Sequence, residues 1–266
     1  MRATVLFVCL LSSVTQAHEV TVIPIRLHGE GHLATVRIDG VTLNAIIDTS
    51  GYHAIGISPA ALQRLRVRYG TGAVERIDGE GHRFRGREFQ IDQLRLGNSV
   101  FENVRGFERL EHESGAFGGS PFEVSIGRDF LQHFTVVIDY SKNQIELHRY
   151  RAARGVCRGS VADLRQSTGG IYYSVVTTAD GPMKLAWDTG ATYSIVQKEV
   201  VDARGLDSGD ERLTTRLSLG AHSLGAHRMP VMDLPGVPDL DGLLGDNFFE
   251  HHRVCLDYGR REVRVR

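Results

Sequence analysis

Three things are scarce in this chain of 266 residues: cysteine, surplus charge and long apolar runs. Lys and Arg total 31 against 32 Asp and Glu, and no basic block or interleaving of aromatic with basic residues offers a nucleic acid anything to hold. Beyond the first eleven residues no long uncharged apolar stretch occurs, so no membrane-spanning helix is expected. Three cysteines cannot build a disulfide-dense scaffold, and no Cys or His set stands at zinc-site spacing. His222 and His227, and the pair His251-His252, therefore read as solvated side chains, and no metal or cofactor is expected. Serine hydrolase chemistry has no Gly-x-Ser-x-Gly elbow, and Gly118-Gly119-Ser120-Pro121 lacks the flanking glycine pattern and the lysine of a phosphate loop.

The opening differs from the rest. Met1-Arg2 precedes an apolar run from Ala3 to Leu11 and the small-residue site Thr15-Gln16-Ala17, the pattern of a signal peptide cut after Ala17. The run is too short to span a membrane, and Cys9 has neither the apolar lead nor the preceding small residue of a lipidation site. An exported protein, periplasmic or extracellular, is expected, with about 250 residues for one large or two small domains. Cys157 and Cys255 then remain, as one disulfide or as two buried free thiols.

What the chain does contain is a repeat. Leu185-Ala186-Trp187-Asp188-Thr189-Gly190 is an apolar strand that ends in an acid and a sharp turn, and Ala45-Ile46-Ile47-Asp48-Thr49-Ser50-Gly51 repeats it 140 residues earlier. Downstream, Ile126-Gly127 leads to Val136-Val137-Ile138-Asp139-Tyr140, and Leu244-Gly245 leads to Val254-Cys255-Leu256-Asp257-Tyr258. Glycine and acid are 12 residues apart in both, and Ile145 and Val263 each follow six later. Between these landmarks lie Leu94-Arg95-Leu96-Gly97 and Leu217-Ser218-Leu219-Gly220, alternating strands that end in turns. Each half reads strand, acid-turn, short helix, strands, apolar-Gly, short helix, strand, turn, strand.

Local signals fill in the units. Asp39-Gly40 turns one hairpin and Gly181-Pro182 another, while Ser58-Pro59 starts a helix with Ser as cap and Pro at the first helical position. Residues 108–121 read as an exposed glycine-rich loop and residues 149–165 as a linker, giving one domain over 18–150 and a second over 151–266. An acid ending a buried strand is costly unless hydrogen-bonded, paired or neutralised, so two of them imply one shared site. Two carboxylates at close range cannot both ionise; they hold one proton between them and can activate a water. Asp139 and Asp257, each before a Tyr and a turn-rich run, read as turn caps.

These motifs resemble the aspartic peptidase family, whose hallmark is Asp-Thr/Ser-Gly after two apolar residues, and its retropepsin-like branch in particular. The resemblance implies an all-β fold of two pseudo-twofold-related β-barrel lobes with short helices, fused in one chain. It further implies a catalytic dyad of Asp48 and Asp188, with Thr49 and Thr189 locking the two loops together. Gly127 and Gly245 would admit close backbone approach. The substrate implied is a peptide or protein and the expected state a monomer, acting without metal, nucleotide or covalent nucleophile.

The family has glycine where Ser50 stands. Glycine takes backbone angles that cost serine roughly 1–2 kcal/mol, so a distorted first loop is expected, and with it a weak or inactive peptide-binding homologue is the alternative to an endopeptidase. The halves also differ in length. Asp48 to Gly97 spans 49 residues and Asp188 to Gly220 only 32, and the additional residues fall within Val67 to Phe89, a polar run with hairpin composition. The resemblance makes this a single flap, with substrate-binding Gly79, Glu80 and Gly81 at its tip; Tyr69-Gly70-Thr71-Gly72 is the rival tip.

Overall fold

The computed structural model describes residues 19–77, 83–109, 122–151, 153, 155–237 and 239–266. The expected signal peptide, the flap tip Gly79–Gly81 and most of the glycine-rich loop lie outside them.

The first lobe runs β1 (Val20–His28), β2 (Gly31–Ile38), β3 (Val41–Ile47), β4 (Ile55–Ile57), α1 (Pro59–Leu62), β5 (Arg68–Ile77), β6 (Arg83–Leu96), β7 (Ser99–Glu108), β8 (Val124–Ile126), α2 (Arg128–Leu131), β9 (Thr135–Asp139) and β10 (Gln144–His148). The second follows with β11 (Ser160–Asp163), β12 (Arg165–Gln166), β13 (Tyr172–Thr178), β14 (Gly181–Trp187), β15 (Ile195–Gln197), α3 (Lys198–Arg204), β16 (Arg212–Leu219), β17 (His222–Met232), β18 (Gly242–Leu244), α4 (Asp246–Phe249), β19 (Val254–Asp257) and β20 (Glu262–Val265). Strands dominate because apolar residues alternate along them, as in β2, where Val36 and Ile38 are buried and Thr35 and Arg37 exposed.

Both lobes are closed sheets. The first barrel orders its strands β1-β2-β3-β8-β4-β7-β6-β5, closed by β2 against β6; the second runs β12-β13-β14-β18-β15-β17-β16, closed by β13 against β16. The second order is the first with β5 removed, so the surplus residues of the first half form a strand. β5 pairs with β6 from Arg68↔Gln90 to Ile77↔Arg83, making a hairpin whose connection falls in 78–82. The rival tip Tyr69–Gly72 lies inside β5, at a register shift. Beneath the barrels β1, β10, β9, β19, β20 and β11 form a continuous sheet, joined where Val254 pairs with Ile138. One apolar core runs through both lobes, from Ile23 and Leu94 to Trp187 and Phe248.

Local chemistry follows the sequence at most turns. Asp39 and Gly40 both have positive φ, the two left-handed residues a tight two-residue hairpin requires. Ser58 Oγ accepts the Ala61 N–H with Pro59 opening the helix. Asp139 accepts the Ser141 hydroxyl and Asp257 the Arg260 N–H, as turn caps do. Two expectations need correction. The second hairpin turns at Ala179-Asp180, and Gly181-Pro182 begin β14, because Thr178 pairs with Gly181 and its hydroxyl bonds both the Gly181 carbonyl and the Asp180 N–H. The linker expected over 149–165 contains β11, which forms an edge of the shared sheet by pairing with β20, and runs into β12. Cys157 is disulfide-bonded to Cys255, tying the start of the second unit to β19.

Candidate active site

β3 and β14 deliver the two acids. Each strand lies parallel to its short apolar partner, β8 or β18, and the acid's own N–H closes the ladder: Asp48 N donates to Ile126 O at 2.8 Å, Asp188 N to Leu244 O at 2.9 Å. The chain then folds back over the following glycine. A Cβ on Gly127 would lie 2.2 Å from His53 O, and one on Gly245 2.4 Å from Tyr193 O, so no side chain fits at either position.

Between the acid loops the two threonines cross. Thr49 Oγ1 donates to Trp187 O (2.6 Å) and accepts the Thr189 N–H (3.1 Å); Thr189 Oγ1 donates to Ile47 O (2.5 Å) and accepts the Thr49 N–H (3.2 Å). Both are almost fully buried, at 1 and 2 % exposure, so these bonds are shielded from water. A second link lies deeper: buried Asp246 accepts the His32 N–H, His32 Nδ1 and the Tyr140 hydroxyl from the opposite lobe.

The crossing brings the carboxylates together. A Cβ built on Gly190 would stand 2.6 Å from Asp48 Oδ1 and 3.1 Å from Asp188 Oδ1, so both acids close on one point. Their surroundings differ. Asp48 Oδ1 accepts Ser50 N (3.1 Å), Ser50 Oγ (3.1 Å) and Gly51 N (2.7 Å), and Ser125 Oγ stands 3.5 Å from Oδ2. Asp188 Oδ1 accepts the Gly190 N–H at 2.8 Å. Burial first, and then the charge of Asp48, push the Asp188 carboxyl up to about 7.

Ser50 departs from the distortion expected of it. It does not have the left-handed backbone that would favour glycine, and its hydroxyl serves as a further donor to Asp48. Close approach to the acids governs the neighbouring glycines instead, since a Cβ on Gly51 would lie 2.4 Å from Asp48 Oδ2.

The acids open into a cavity of about 250 Å³, walled by Ile46 and Phe122 on one side and Leu234, Val237 and Leu243 on the other. Three polar residues there escaped the sequence reading. His53 Nε2 lies 2.9 Å from Ser125 Oγ, completing a string from His53 through Ser125 to Asp48. Arg109, 3 % exposed, stacks its guanidinium 4.0 Å from the Phe122 ring centre. Ser125 did leave a signal: it interrupts Val124-Ser125-Ile126-Gly127 where the second half has Leu243. The histidines read as solvated divide. His227 is buried and His252 half-buried against Phe248, and the Nε2 of each faces Leu224 O.

Two barrels that each supply an acid loop to one cleft define the architecture of the aspartic proteinases. The family model described as Aspartyl protease matches residues 34–130, within the first lobe, and the two lobes together share the bilobal fold of pepsin-like aspartic proteinases. An aspartic proteinase from Irpex lacteus superimposes with a TM-score of 0.60 at 11% identity, over 92% of this chain and 96% of that one. Basic 7S globulin from soybean gives a TM-score of 0.61 at 10% identity, over 92% and 93%. No curated protein matches the chain in sequence.

Proposed function

We propose that this protein is an exported aspartic endopeptidase in which Asp48 and Asp188 together activate a water against a peptide bond. The observation that carries the reading is the unequal treatment of two acids that meet at one point. Asp48 is met by Ser50 N, Ser50 Oγ and Gly51 N, the donors a charged carboxylate requires, while burial and its partner's charge keep the proton on Asp188. In the proposed cycle Asp48 takes a proton from the water as its oxygen bonds the scissile carbonyl carbon, and Asp188 gives its proton to the carbonyl oxygen. The resulting gem-diol collapses when the proton on Asp48 passes to the leaving nitrogen, breaking the C–N bond, and Asp188 recovers a proton from a diol hydroxyl. Every atom of the water ends in the two products. The apolar walls of the cavity suit apolar substrate side chains. The β5–β6 hairpin, without a counterpart among the described residues of the second barrel, would serve as the flap.

An endopeptidase cleft lets a chain pass through, so the proposed substrate is an internal bond of a peptide or protein. Export follows from the signal-like opening and accords with the Cys157–Cys255 bond. The test is mature protein incubated with a mixed peptide library from acid to neutral pH, with and without a statine-type transition-state inhibitor. Wild type should cleave and be inhibited; Asp48→Asn and Asp188→Asn should each remain folded and lose cleavage. Either variant retaining near-wild-type cleavage refutes the dyad.

A further inference from the structure

The outer face of the first barrel carries charge that its twin lacks. Where β2 closes on β6, Arg37 sits directly opposite Arg95. The same ladder in the second barrel places Thr177 opposite Ser218. Arg95 and Ser218 each stand two residues before the turn glycine, and Arg37 and Thr177 each stand second from the end of their strand, so the four positions correspond. The fold therefore accepts small neutral residues here. Like charges directly across an antiparallel pair, with Cβ atoms roughly 4.5–5.5 Å apart, destabilise a sheet.

These arginines share a groove of about 690 Å³ with Arg26, Thr35, Thr42 and Asn98, and among the described residues no Asp or Glu lines it. Among the described residues, Arg26 donates to Asn44 Oδ1 and Arg37 Nε to Gly40 O, both at 3.0 Å and both to neutral acceptors. No residue is common to this groove and the cavity at the acids. Three cations thus face one concavity without a lining carboxylate. A guanidinium fork matches the oxygens of carboxylates and phosphates. One carboxylate brings a single charge, whereas a phosphate monoester brings three acceptor oxygens and about 1.5–2 charges, closer to what three arginines require.

We propose that this groove is a binding site for a phosphate-bearing anion, held between Arg37 and Arg95 with Arg26 as the third cation. The volume leaves space for the molecule that carries the phosphate, whether a soluble ester or a lipid headgroup. The test compares wild type with Arg37→Thr/Arg95→Ser, which installs the second barrel's own residues. Thermal unfolding is followed during titration with inorganic phosphate and with glycerol 3-phosphate, against chloride at matched ionic strength. Flotation with phosphatidylglycerol and phosphatidylcholine vesicles forms the other arm.

Phosphate and its ester should raise the wild-type melting temperature saturably beyond chloride, and the double variant should lose at least tenfold in apparent affinity. Without added anion, at low salt, the variant should melt no lower than wild type because the facing charges are gone, which separates lost binding from lost folding. Binding to phosphatidylglycerol vesicles by wild type alone assigns the phosphate to a lipid headgroup; a phosphate response without vesicle binding assigns it to a soluble ester. A wild-type response no larger than that to chloride, or equal responses from the two proteins, overturns the proposal. None of these readouts depends on peptide cleavage.

Discussion

Replacing Thr189 by Val keeps the shape of a side chain that is 2 % exposed and deletes one oxygen. That oxygen makes two bonds across the lobe interface, donating to Ile47 O and accepting the Thr49 N–H. With it gone, the Thr49 N–H is buried without an acceptor, a desolvation cost of about 1–3 kcal/mol, and Ile47 O loses a donor, about 0.5–1.5 kcal/mol. Together these predict a loss of about 2–4 kcal/mol, a large share of the ~5–15 kcal/mol that holds a folded protein. For a chain of this size the melting temperature should fall by roughly 5–15 °C. Thr189→Ser keeps the oxygen and removes a methyl, so it should cost only about 1 kcal/mol. Urea unfolding of wild type and both variants reads the difference, and Thr49→Val should match Thr189→Val because Thr49 makes the mirror-image bonds. If Thr189→Val lies within 1 kcal/mol of wild type, or does no worse than Thr189→Ser, the hydroxyl crossing does not join the lobes and the reasoning fails.

Three further outcomes are expected. Asp188 holds its proton up to about 7 when folded, while an unfolded aspartate releases it near ~3.9, so this group favours folding at acid pH. Stability measured by urea unfolding should therefore decline between roughly pH 4 and pH 7 and cleavage should vanish above about 7; a slope unchanged in Asp188→Asn would sink the assignment. Ser50→Ala removes one donor to a half-buried carboxylate, worth about 1 kcal/mol once solvent screening is allowed for, so kcat/KM should drop roughly fivefold with the fold intact; wild-type kinetics would show that the hydroxyl is idle. Reducing Cys157–Cys255 opens a loop of 98 residues and should cost up to ~4.7 kcal/mol, with free thiols titrating only after denaturation and reduction; thiols reactive in the unreduced, denatured chain would exclude the bond.

What the sequence disclosed was whatever is written in spacing. The matched intervals after Gly127 and Gly245 foretold two barrels of one plan, and the longer path from Asp48 to Gly97 foretold the one hairpin without a twin, now seen as β5. Close approach likewise fixes glycine at both positions. Other features depend on neighbours far away in the chain. β11 reads as linker because a four-residue edge strand with alternating half-buried positions has little apolar pattern of its own; β20 makes it a strand. The turn at Ala179-Asp180 carries no glycine and is set by the Thr178 hydroxyl. Backbone preference alone argues against Ser50, whereas its position is decided by the oxygen it donates to, and the string from His53 to Asp48 runs through Ser125, 72 residues from His53.

Fusing two copies of the unit lets the halves diverge, and the divergence gathers around the acids. In a symmetric dimer the two carboxylates see identical surroundings and only the proton tells them apart. Here Ser50 and Ser125 stand on the first side and Gly190 and Leu243 on the second, so Asp48 collects more donors than Asp188. Below them the first residue after each close-approach glycine differs as well. In the first half it is Arg128, which reaches the Gly169 carbonyl of the other lobe; in the second it is Asp246, which takes His32 and Tyr140. Asp246 adds negative charge beneath Asp188 and helps keep the proton there, behind burial and Asp48. Neutralising it should therefore lower the midpoint of the dyad's alkaline limb. In Asp246→Asn the amide oxygen can still accept the His32 N–H while the amide nitrogen donates to the Tyr140 hydroxyl oxygen, so the lobes should stay docked while the activity limit shifts to lower pH. Measuring kcat/KM against pH for this variant decides the matter, because an unchanged limb beside a folded protein would mean that the charge beneath the site does not reach the acids.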